Sequence, residues 1–170
     1  MIVSGTVRGC SINADGCRQI FRFSRKGDFF GLSDIDRWHF TAEAADHVIV
    51  KSIPCATFER ELSENCALQS ELRTYFRDLL KTRDRQLLTL VSTNATDRLY
   101  QFLREFAASR PNGGHVTLPM CRRDIADHLG LTPETVSRAF GNLRRKGLIE
   151  LLTPEKYRIS DPAGQGASPP

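Results

Sequence analysis

The chain has 170 residues and little that would suit a membrane protein or a disulfide-bonded one. No apolar run approaches the roughly 20 residues of a membrane helix, and the N-terminus lacks the pattern of a secretory signal peptide. The five cysteines are an odd number without a Cys-x-x-Cys pair, which argues against a disulfide framework and a standard zinc site. These absences predict a protein of the reducing cytoplasm with no membrane partner and no metal.

Motifs of common enzymes are also missing. The sequence has no nucleophile elbow, no glycine-rich phosphate loop and no His-Glu-x-x-His zinc motif. Its four histidines could in principle act as bases for a cysteine nucleophile, but no pattern places such a pair together. We therefore predict no catalytic residues and no enzymatic activity.

The most informative segment runs from Met120 to Ile149 and predicts two short helices joined by a tight turn. Gly130 provides the turn, where a left-handed backbone suits a residue without Cβ. Ala126 lies four residues before this glycine and Val136 six residues after it, which is the spacing of a helix-turn-helix. The predicted inner face of the two helices consists of Ile125, Ala126, Leu129, Val136, Phe140 and Leu143.

The second helix of this motif has clear start and stop signals. Thr132 is a candidate N-cap, Pro133 suits the first helical position, and Glu134 suits the positive end of the helix dipole. Gly147 ends the helix directly after three basic residues at 144–146. These signals predict a well-defined helix with a fixed starting point.

The outward face of the second helix favours DNA binding. It carries Glu134, Ser137, Arg138 and Arg145, which would be costly to bury and are suited to base edges and phosphates. Basic residues also outnumber acidic ones between His115 and Ser160. The alternative is an ordinary helical hairpin inside a core, with a solvated basic face.

The first sixty residues predict short strands. Ile2–Arg8 and Cys17–Phe23 flank a turn at 13–16 and are expected to pair as a hairpin. A further strand is expected at His47–Ile53, before Pro54. Several short strands separated by turns indicate a β-barrel or a jelly-roll-like unit.

After Ala56 the apolar residues recur at helical spacing, three or four positions or multiples of these apart. Neither proline nor glycine interrupts the chain from there to Arg110, which predicts one long helix of roughly 20–30 residues. Arg83 interrupts its apolar stripe. The helix either packs on its own domain or pairs with a second copy, and we favour the dimer because helix-turn-helix proteins commonly read two-fold sites.

Shorter elements follow the long helix. A helix is expected at Asp97–Ala108, capped by Asn94 or Thr96 and ended by a loop at 110–114. After the helix-turn-helix, two short strands are expected to form the wing of a winged helix, and a tail rich in small residues and proline is expected to be disordered. The strands are Leu148–Leu152 and Tyr157–Ile159, and the tail is 160–170.

Five short motifs resemble the CRP/FNR superfamily of bacterial transcription regulators, and the FixK-like members of its FNR/FixK branch most of all. The resemblance covers nearly the whole chain apart from the tail. The motifs are DGxxQI at Asp15–Ile20, KGDFFG at Lys26–Gly31, the strand end Ile53-Pro54, NATDRL at Asn94–Leu99 and ETVSR at Glu134–Arg138.

The resemblance implies an α+β fold with three parts. A partial β-roll, the jelly roll of cyclic-nucleotide-binding proteins, is followed by a long dimerisation helix and a C-terminal winged helix-turn-helix. The expected boundaries are 1–60 for the β-roll, 61–93 for the helix, 94–159 for the DNA-binding domain and 160–170 for the tail. Members of the superfamily usually have further residues before the segment that resembles Ile2–Arg8, so we expect unpaired edges in the roll.

Two departures from the family pattern predict that no cofactor is bound. Cyclic-nucleotide-binding members have a Gly-Glu pair and an Arg-Ser pair, whereas here Gly31 is followed by Leu32 and the later segment at 38–42 lacks an arginine. Iron–sulfur members have a cysteine where this chain has Lys51, and Cys55 lies beyond the proline. A roll that senses haem or a small molecule remains the alternative.

The resemblance also implies how DNA is read. The E-x-x-S-R pattern of the family reads TTGAT half-sites, so a homodimer would bind a TTGAT-N4-ATCAA-like palindrome and activate transcription through RNA polymerase. Arg138 can donate two hydrogen bonds to guanine, Glu134 can accept from a cytosine amine, and Ser137 can bond either base type. Further candidate DNA-binding residues are Thr132, Thr135, Arg122, Arg123, Arg145 and Lys156.

Cys121 is a possible redox residue. It begins the first helix of the motif beside Arg122 and Arg123, where the helix dipole and the guanidinium groups would favour a thiolate. Oxidation would then place negative charge near DNA phosphates. The alternative is a small buried apolar residue.

Overall fold

A computed structural model describes residues 1–32, 38–92, 94–108 and 114–160 of the chain, apart from the side chains at 90 and 92. The predicted loop at 110–114 and tail at 160–170 lie outside these residues, except for Gly114 and Ser160. No helix in the described ranges is long and apolar enough to cross a membrane. In chain order the elements are β1 Ile2–Ser4, β2 Val7–Ile12, β3 Arg18–Ser24, β4 Thr41–Ala44, β5 Ile49–Val50, α1 Cys55–Glu64, α2 Cys66–Ser92, α3 Ala95–Ala108, β6 Val116–Thr117, α4 Arg122–Leu129, α5 Pro133–Arg145, β7 Ile149–Leu151 and β8 Lys156–Ile159.

The β-roll, which consists of β1–β5, differs from the predicted pairing at its first strand. The single strand expected at Ile2–Arg8 is wrong, because the chain turns at Gly5 and divides it into β1 and β2. Gly5 has a φ of +83°, and a Cβ there would lie 2.4 Å from the carbonyl oxygen of His47. The amide of Thr6 donates to Asp46 Oδ1 at 2.6 Å, which fixes the turn. The turn allows β1 to pair with β5 while β2 joins a second sheet.

The second sheet has the order β3-β2-β4, and all its strands are antiparallel. Its hairpin joins β2 and β3 through the turn predicted from the sequence, where Asn13 Oδ1 accepts a hydrogen bond from the amide of Cys17 at 2.8 Å. Strand β4 was not predicted. Strand β5 is shorter than the expected His47–Ile53, because it pairs with the short strand β1 and that pairing involves only Ile49 and Val50 of β5.

The predicted uninterrupted helix from Ala56 is wrong at Asn65. This residue has a φ of −120° and a ψ of 97°, which ends α1. Its Oδ1 accepts from the amide of Leu68 at 3.0 Å and so caps the start of α2. An asparagine can therefore interrupt a helical pattern without proline or glycine. Helix α2 has 27 residues, within the predicted length.

Helix α2 packs along the β-roll through one aromatic side chain and one arginine. The hydroxyl of Tyr75 accepts from Arg22 at 3.0 Å and donates to the carbonyl oxygen of Phe29 at 3.2 Å. Arg83, which interrupts the apolar stripe, lies with its guanidinium 5.6 Å from the centroid of the Phe21 ring. The interruption therefore marks the side of α2 that faces the roll.

The core of the C-terminal part is formed by α3, α4, α5 and the sheet β6-β8-β7. Asn94 is the cap of α3, since its Oδ1 accepts from the amide of Asp97 at 3.0 Å. Tyr157 is fully buried, and its hydroxyl donates to the carbonyl oxygen of Leu103 at 2.7 Å. Every residue of the predicted inner face is buried, namely Ile125, Ala126, Leu129, Val136, Phe140 and Leu143.

His128 lies where the β-roll meets this core. Its Nδ1 donates to the carbonyl oxygen of Ile20 at 2.9 Å, and its ring packs against Phe23 and Phe102. Burial lowers the pKa of His128 below its ordinary value, although the hydrogen bond to Ile20 acts in the opposite direction. The imidazole is therefore held neutral in the folded protein at pH 7.

We expect the protein to lose stability as the pH falls below about 6.5, because His128 then takes up a proton in the unfolded chain before it does so in the folded one. One such group can contribute at most about 1.4 kcal/mol between pH 7.5 and 5.5. His128→Gln should reduce this loss, measured by urea unfolding at both pH values. His115→Gln, at an exposed histidine, is the control. An unchanged pH dependence in His128→Gln would contradict the assignment.

Candidate nucleic-acid interface

Helix α5 begins as the sequence predicts. Thr132 has extended backbone angles, and its Oγ1 accepts from the amide of Thr135 at 3.2 Å. Pro133 occupies the first turn, and Glu134 follows it at the positive end of the helix. Two of the candidate DNA-binding residues, Thr132 and Thr135, therefore contact each other and fix the start of the helix.

Three predicted reading residues lie together on the exposed face of α5. Glu134, Ser137 and Arg138 are exposed, while the opposite face of the helix is buried in the core. Arg138 donates from Nη2 to the hydroxyl of Thr135 at 3.2 Å, and Ser137 donates to the carbonyl oxygen of Pro133 at 2.9 Å. This side of α5 presents the free N–H groups of Arg138 and the acceptor oxygens of Glu134 and Ser137, and we name it the reading face.

Glu134 is an acceptor at neutral pH. Hydrogen bonds from its own backbone amide and from the Thr132 hydroxyl lower the pKa of its carboxyl group, and the charge of Arg138 acts in the same direction. The carboxylate is therefore ionised and suited to a base-edge amine.

Arg122 lies inside the motif and away from the reading face. Its guanidinium carbon is 3.2 Å from the centroid of the Phe140 ring, and its Nη2 donates to the carbonyl oxygen of Pro154 at 2.6 Å. Burial lowers the pKa of Arg122 to about 10, against the attraction of Glu155. Its Nη1 is buried and has no hydrogen-bond partner among the described residues. Arg122 thus joins α4, α5 and the wing formed by β7 and β8.

The other predicted basic residues have more open positions. Arg123 is exposed on α4, and Arg145 is exposed on the last turn of α5, where it donates to Asn142 Oδ1. Lys156 is partly buried at the start of β8 in the wing. All three lie on the elements that frame the exposed face of α5.

The surroundings of Cys121 differ from those expected. It is the exposed N-cap of α4, so the alternative of a buried apolar residue is wrong. Its Sγ donates to Asp124 Oδ2 at 3.4 Å, and Arg122 turns away toward Phe140. A carboxylate therefore takes the place that we had assigned to guanidinium groups. The redox role of Cys121 stays a prediction without that support.

Sequence reasoning missed the buried carboxylate of Asp124. The residue is only 3% exposed and contacts Arg8 and Arg18 of the β-roll. Its place three residues after the N-cap Cys121 is a signal for a capping box that could have been found. No local signal could have identified its arginine partners, which lie more than 100 positions away.

A small cavity lies between the β-roll and α2, where the sequence left open a ligand site. Its volume is about 100 Å³, and its lining is largely aromatic and includes Phe21, Phe40 and Tyr75. Pockets for drug-sized ligands are larger, at about 300–1,000 Å³. Two clefts of that size, about 420 and 430 Å³, lie where β3 meets α2 and α3.

Comparison with known proteins supports the winged helix-turn-helix and extends over the whole described chain. The model of the Crp-like helix-turn-helix domain matches residues 97–164. The nitrogen fixation regulation protein FixK of Azorhizobium caulinodans is 37% identical over an alignment of 170 positions, which covers 95% of this chain and 67% of that protein. The transcriptional activatory protein AadR of Rhodopseudomonas palustris is 33% identical over 165 aligned residues, which cover 95% of this chain and 69% of AadR. The chain spans about two thirds of the length of these relatives.

A solved structure shows the same fold. FixK2 from Bradyrhizobium japonicum superposes with a TM-score of 0.87 at 31% identity, over 95% of this chain and 81% of that one. The match confirms the predicted α+β class. The relatives are transcription regulators and not enzymes, as the sequence analysis predicted. The chain belongs to the CRP/FNR superfamily of DNA-binding transcription regulators, among its FixK-like members.

Proposed function

We propose that this protein binds a TTGAT-N4-ATCAA-like palindrome as a homodimer in the cytoplasm and activates transcription there. The observation that carries the proposal is the exposed face of α5, where Glu134, Ser137 and Arg138 lie side by side on a helix with a fixed start. An N-terminal face of this kind is the part of a recognition helix that contacts base edges in the major groove.

Each reading residue has one role in the proposal. Arg138 donates to O6 and N7 of the guanine in TTGAT, and its contact with the Thr135 hydroxyl holds the guanidinium in place. Glu134 accepts from a cytosine amine one turn earlier along the helix. Ser137 bonds a neighbouring base or touches a thymine methyl group.

Basic residues around α5 would contact the phosphates. Arg123 and Arg145 are exposed at opposite ends of the motif, and Lys156 extends from the wing. Arg122 supports these contacts from inside, because its bond to Pro154 and its stacking on Phe140 hold the wing against α5. Phosphate contacts of this kind orient the protein but carry little sequence information.

The homodimer would form through α2. Leu80, Leu87 and Val91 leave 63%, 62% and 87% of their surface exposed and lie seven and four residues apart on one side of the helix. A stripe with this spacing is typical of a helix that pairs with a second copy. Two copies related by a two-fold axis would present two α5 helices to the two half-sites. In this proposal residues 1–60, 61–93 and 94–159 remain the β-roll, dimerisation and DNA-binding parts.

Activation is proposed by similarity. AadR, whose name describes a transcriptional activatory protein, is 33% identical to this chain over the 165 aligned residues. Activation requires a contact with RNA polymerase. The alternative is control by haem or a small molecule. The cavity inside the roll is small for such a ligand, at about 100 Å³, whereas the clefts between the roll, α2 and α3 have volumes of about 420 and 430 Å³.

Replacement of Arg138 tests the reading of guanine. We expect Arg138→Ala to weaken binding to the TTGAT palindrome by about 1–3 kcal/mol per half-site and to relax the preference at the guanine position. Fluorescence anisotropy at fixed salt with the palindrome and with a guanine-substituted duplex measures both effects. Arg145→Ala, at a proposed phosphate contact, should weaken binding to both duplexes equally. Binding of Arg138→Ala with wild-type affinity and preference would contradict the assignment.

A charge in the exposed stripe of α2 tests the dimer. Leu87→Glu should shift the protein to a monomer, because two carboxylates would face each other in the paired helices, and binding to the palindrome should fall accordingly. Size-exclusion chromatography with light scattering measures the mass. Lys81→Glu is the control, since Lys81 lies about 100° around the helix from Leu80. A dimeric Leu87→Glu variant would contradict this interface.

A further inference from the structure

The β-roll and the DNA-binding part are joined by a compact group of charges between β3 and α4. Arg18 donates to Asp124 Oδ1 at 2.5 Å and to Asp127 Oδ2 at 2.8 and 2.9 Å. Arg8 of β2 donates to Asp124 Oδ2 at 2.9 Å and to Glu43 Oε2 at 2.7 Å. We name this group of two arginines and three carboxylates the interdomain cluster.

The interdomain cluster is sheltered from water. The side chain of Asp124 is 5% exposed, and those of Arg8, Arg18 and Asp127 are 23%, 29% and 21% exposed. Burial alone would raise the pKa of Asp124, but hydrogen bonds from Arg18 and Cys121 and the charge of Arg8 outweigh it and lower the pKa. Asp124 therefore takes up a proton only at acidic pH below its ordinary pKa, and it is ionised at neutral pH.

The same carboxylate belongs to the start of α4. Oδ2 of Asp124 accepts from the backbone amide of Cys121 at 3.3 Å, which completes the cap of this helix. Arg18 and Arg8 thus bind a group that is fixed to the first turn of the helix-turn-helix. A rotation of α4 against the roll would break these bonds together.

Further contacts along β3 hold the same orientation. Gln19 donates to the carbonyl oxygen of Asp127 at 2.9 Å, and His128 donates to that of Ile20. At the other end of the strand, Arg25 donates to the carbonyl oxygen of Phe106 at 2.7 Å. The strand therefore contacts both α4 and α3.

This docking leaves the reading face uncovered. The roll contacts Asp124, Asp127 and His128 of α4, whereas Glu134 and Arg138 of α5 remain exposed. An inhibitory contact would be expected to cover the residues that read DNA. The docked arrangement is instead compatible with DNA binding.

We propose that Arg18 is a positioning residue for DNA recognition, which acts through Asp124 and Asp127 to fix the angle of the winged helix-turn-helix on the β-roll and thereby the spacing between half-sites. This inference rests on the proposed function of a dimer that reads a palindrome. One added base pair moves the second half-site by about 3.4 Å and turns it by about 35° around the DNA axis. If the DNA-binding domain is rigidly docked on the β-roll, the dimer should bind poorly to a site with the added base pair. If the docking is loosened, the domain can rotate to reach the displaced half-site.

The experiment measures the binding of the full chain to duplexes with spacers of three to six base pairs between TTGAT and ATCAA. The variants are Arg18→Gln, which removes the ion pairs of Arg18 with Asp124 and Asp127, and Arg18→Lys, which keeps a positive charge beside both carboxylates. Asp124 is left intact because it also caps α4. Lys26→Gln is the control, since it removes one positive charge from an exposed turn of the roll. Circular dichroism establishes that each variant is folded.

We expect Arg18→Gln to bind the four-base-pair spacer about tenfold more weakly, as for the loss of a charged hydrogen bond. Its preference for that spacer over the five-base-pair spacer should also fall, while the preferred half-site sequence stays the same. Arg18→Lys should retain part of the spacing preference, and Lys26→Gln should behave as wild type. A purely stabilising role for Arg18 would change the melting temperature without changing the spacing preference.

Three outcomes would overturn the inference. Arg18→Gln with wild-type affinity and spacing preference would show that the cluster does not position the domain. Tighter binding by Arg18→Gln would show that the cluster is inhibitory. A folded Arg18→Lys variant that retains no more of the spacing preference than Arg18→Gln would show that the positive charge at this position does not position the domain. Failure of the proposed function itself is distinct, because wild-type protein would then bind none of the duplexes.

Discussion

The carboxylate of Asp124 connects the local folding of the DNA-binding motif to the arrangement of the whole chain. It accepts from the amide of Cys121 at the start of α4 and from two arginines of the β-roll. A buried carboxylate is costly unless its oxygens are satisfied, and here each oxygen has a donor. The hydrophobic core places α5 beside α4, and the contacts of Asp124, Asp127 and His128 join this pair of helices to the β-roll.

The two sides of α5 have different roles, because one packs in the core and the other is exposed to contact DNA. Val136, Ala139 and Phe140 are buried against α3 and α4, which leaves the polar side of the helix exposed. Arg122 has a structural role inside the motif, because its guanidinium group stacks on Phe140 and donates a hydrogen bond to Pro154 in the wing. Charges are therefore used both for contacts with DNA and for the rigidity that such contacts require.

Predictions from the sequence were best where short-range signals agreed with one another. The cap at Thr132, the turn at Gly130 and the buried face of the helix-turn-helix all lie within thirty residues of one another, and the structure places them as predicted. The strand around Gly5 and the helix through Asn65 were wrong, because each boundary depends on a side-chain or backbone partner that a periodicity analysis does not identify. The site residues of α5 were proposed together with the motif that carries them.

The sequence by itself determined the helix-turn-helix and the family, because caps, turns and helical periodicity are properties of neighbouring residues, and it supplied the proposal for the residues that read DNA. The tertiary structure alone decided that Arg18 meets Asp124, 106 positions away, and that Arg122 turns inward to Phe140. It also decided that Cys121 faces a carboxylate and not a guanidinium. These pairings depend on how β3 docks on α4, and the charge of a residue does not specify which opposite charge it will meet through space.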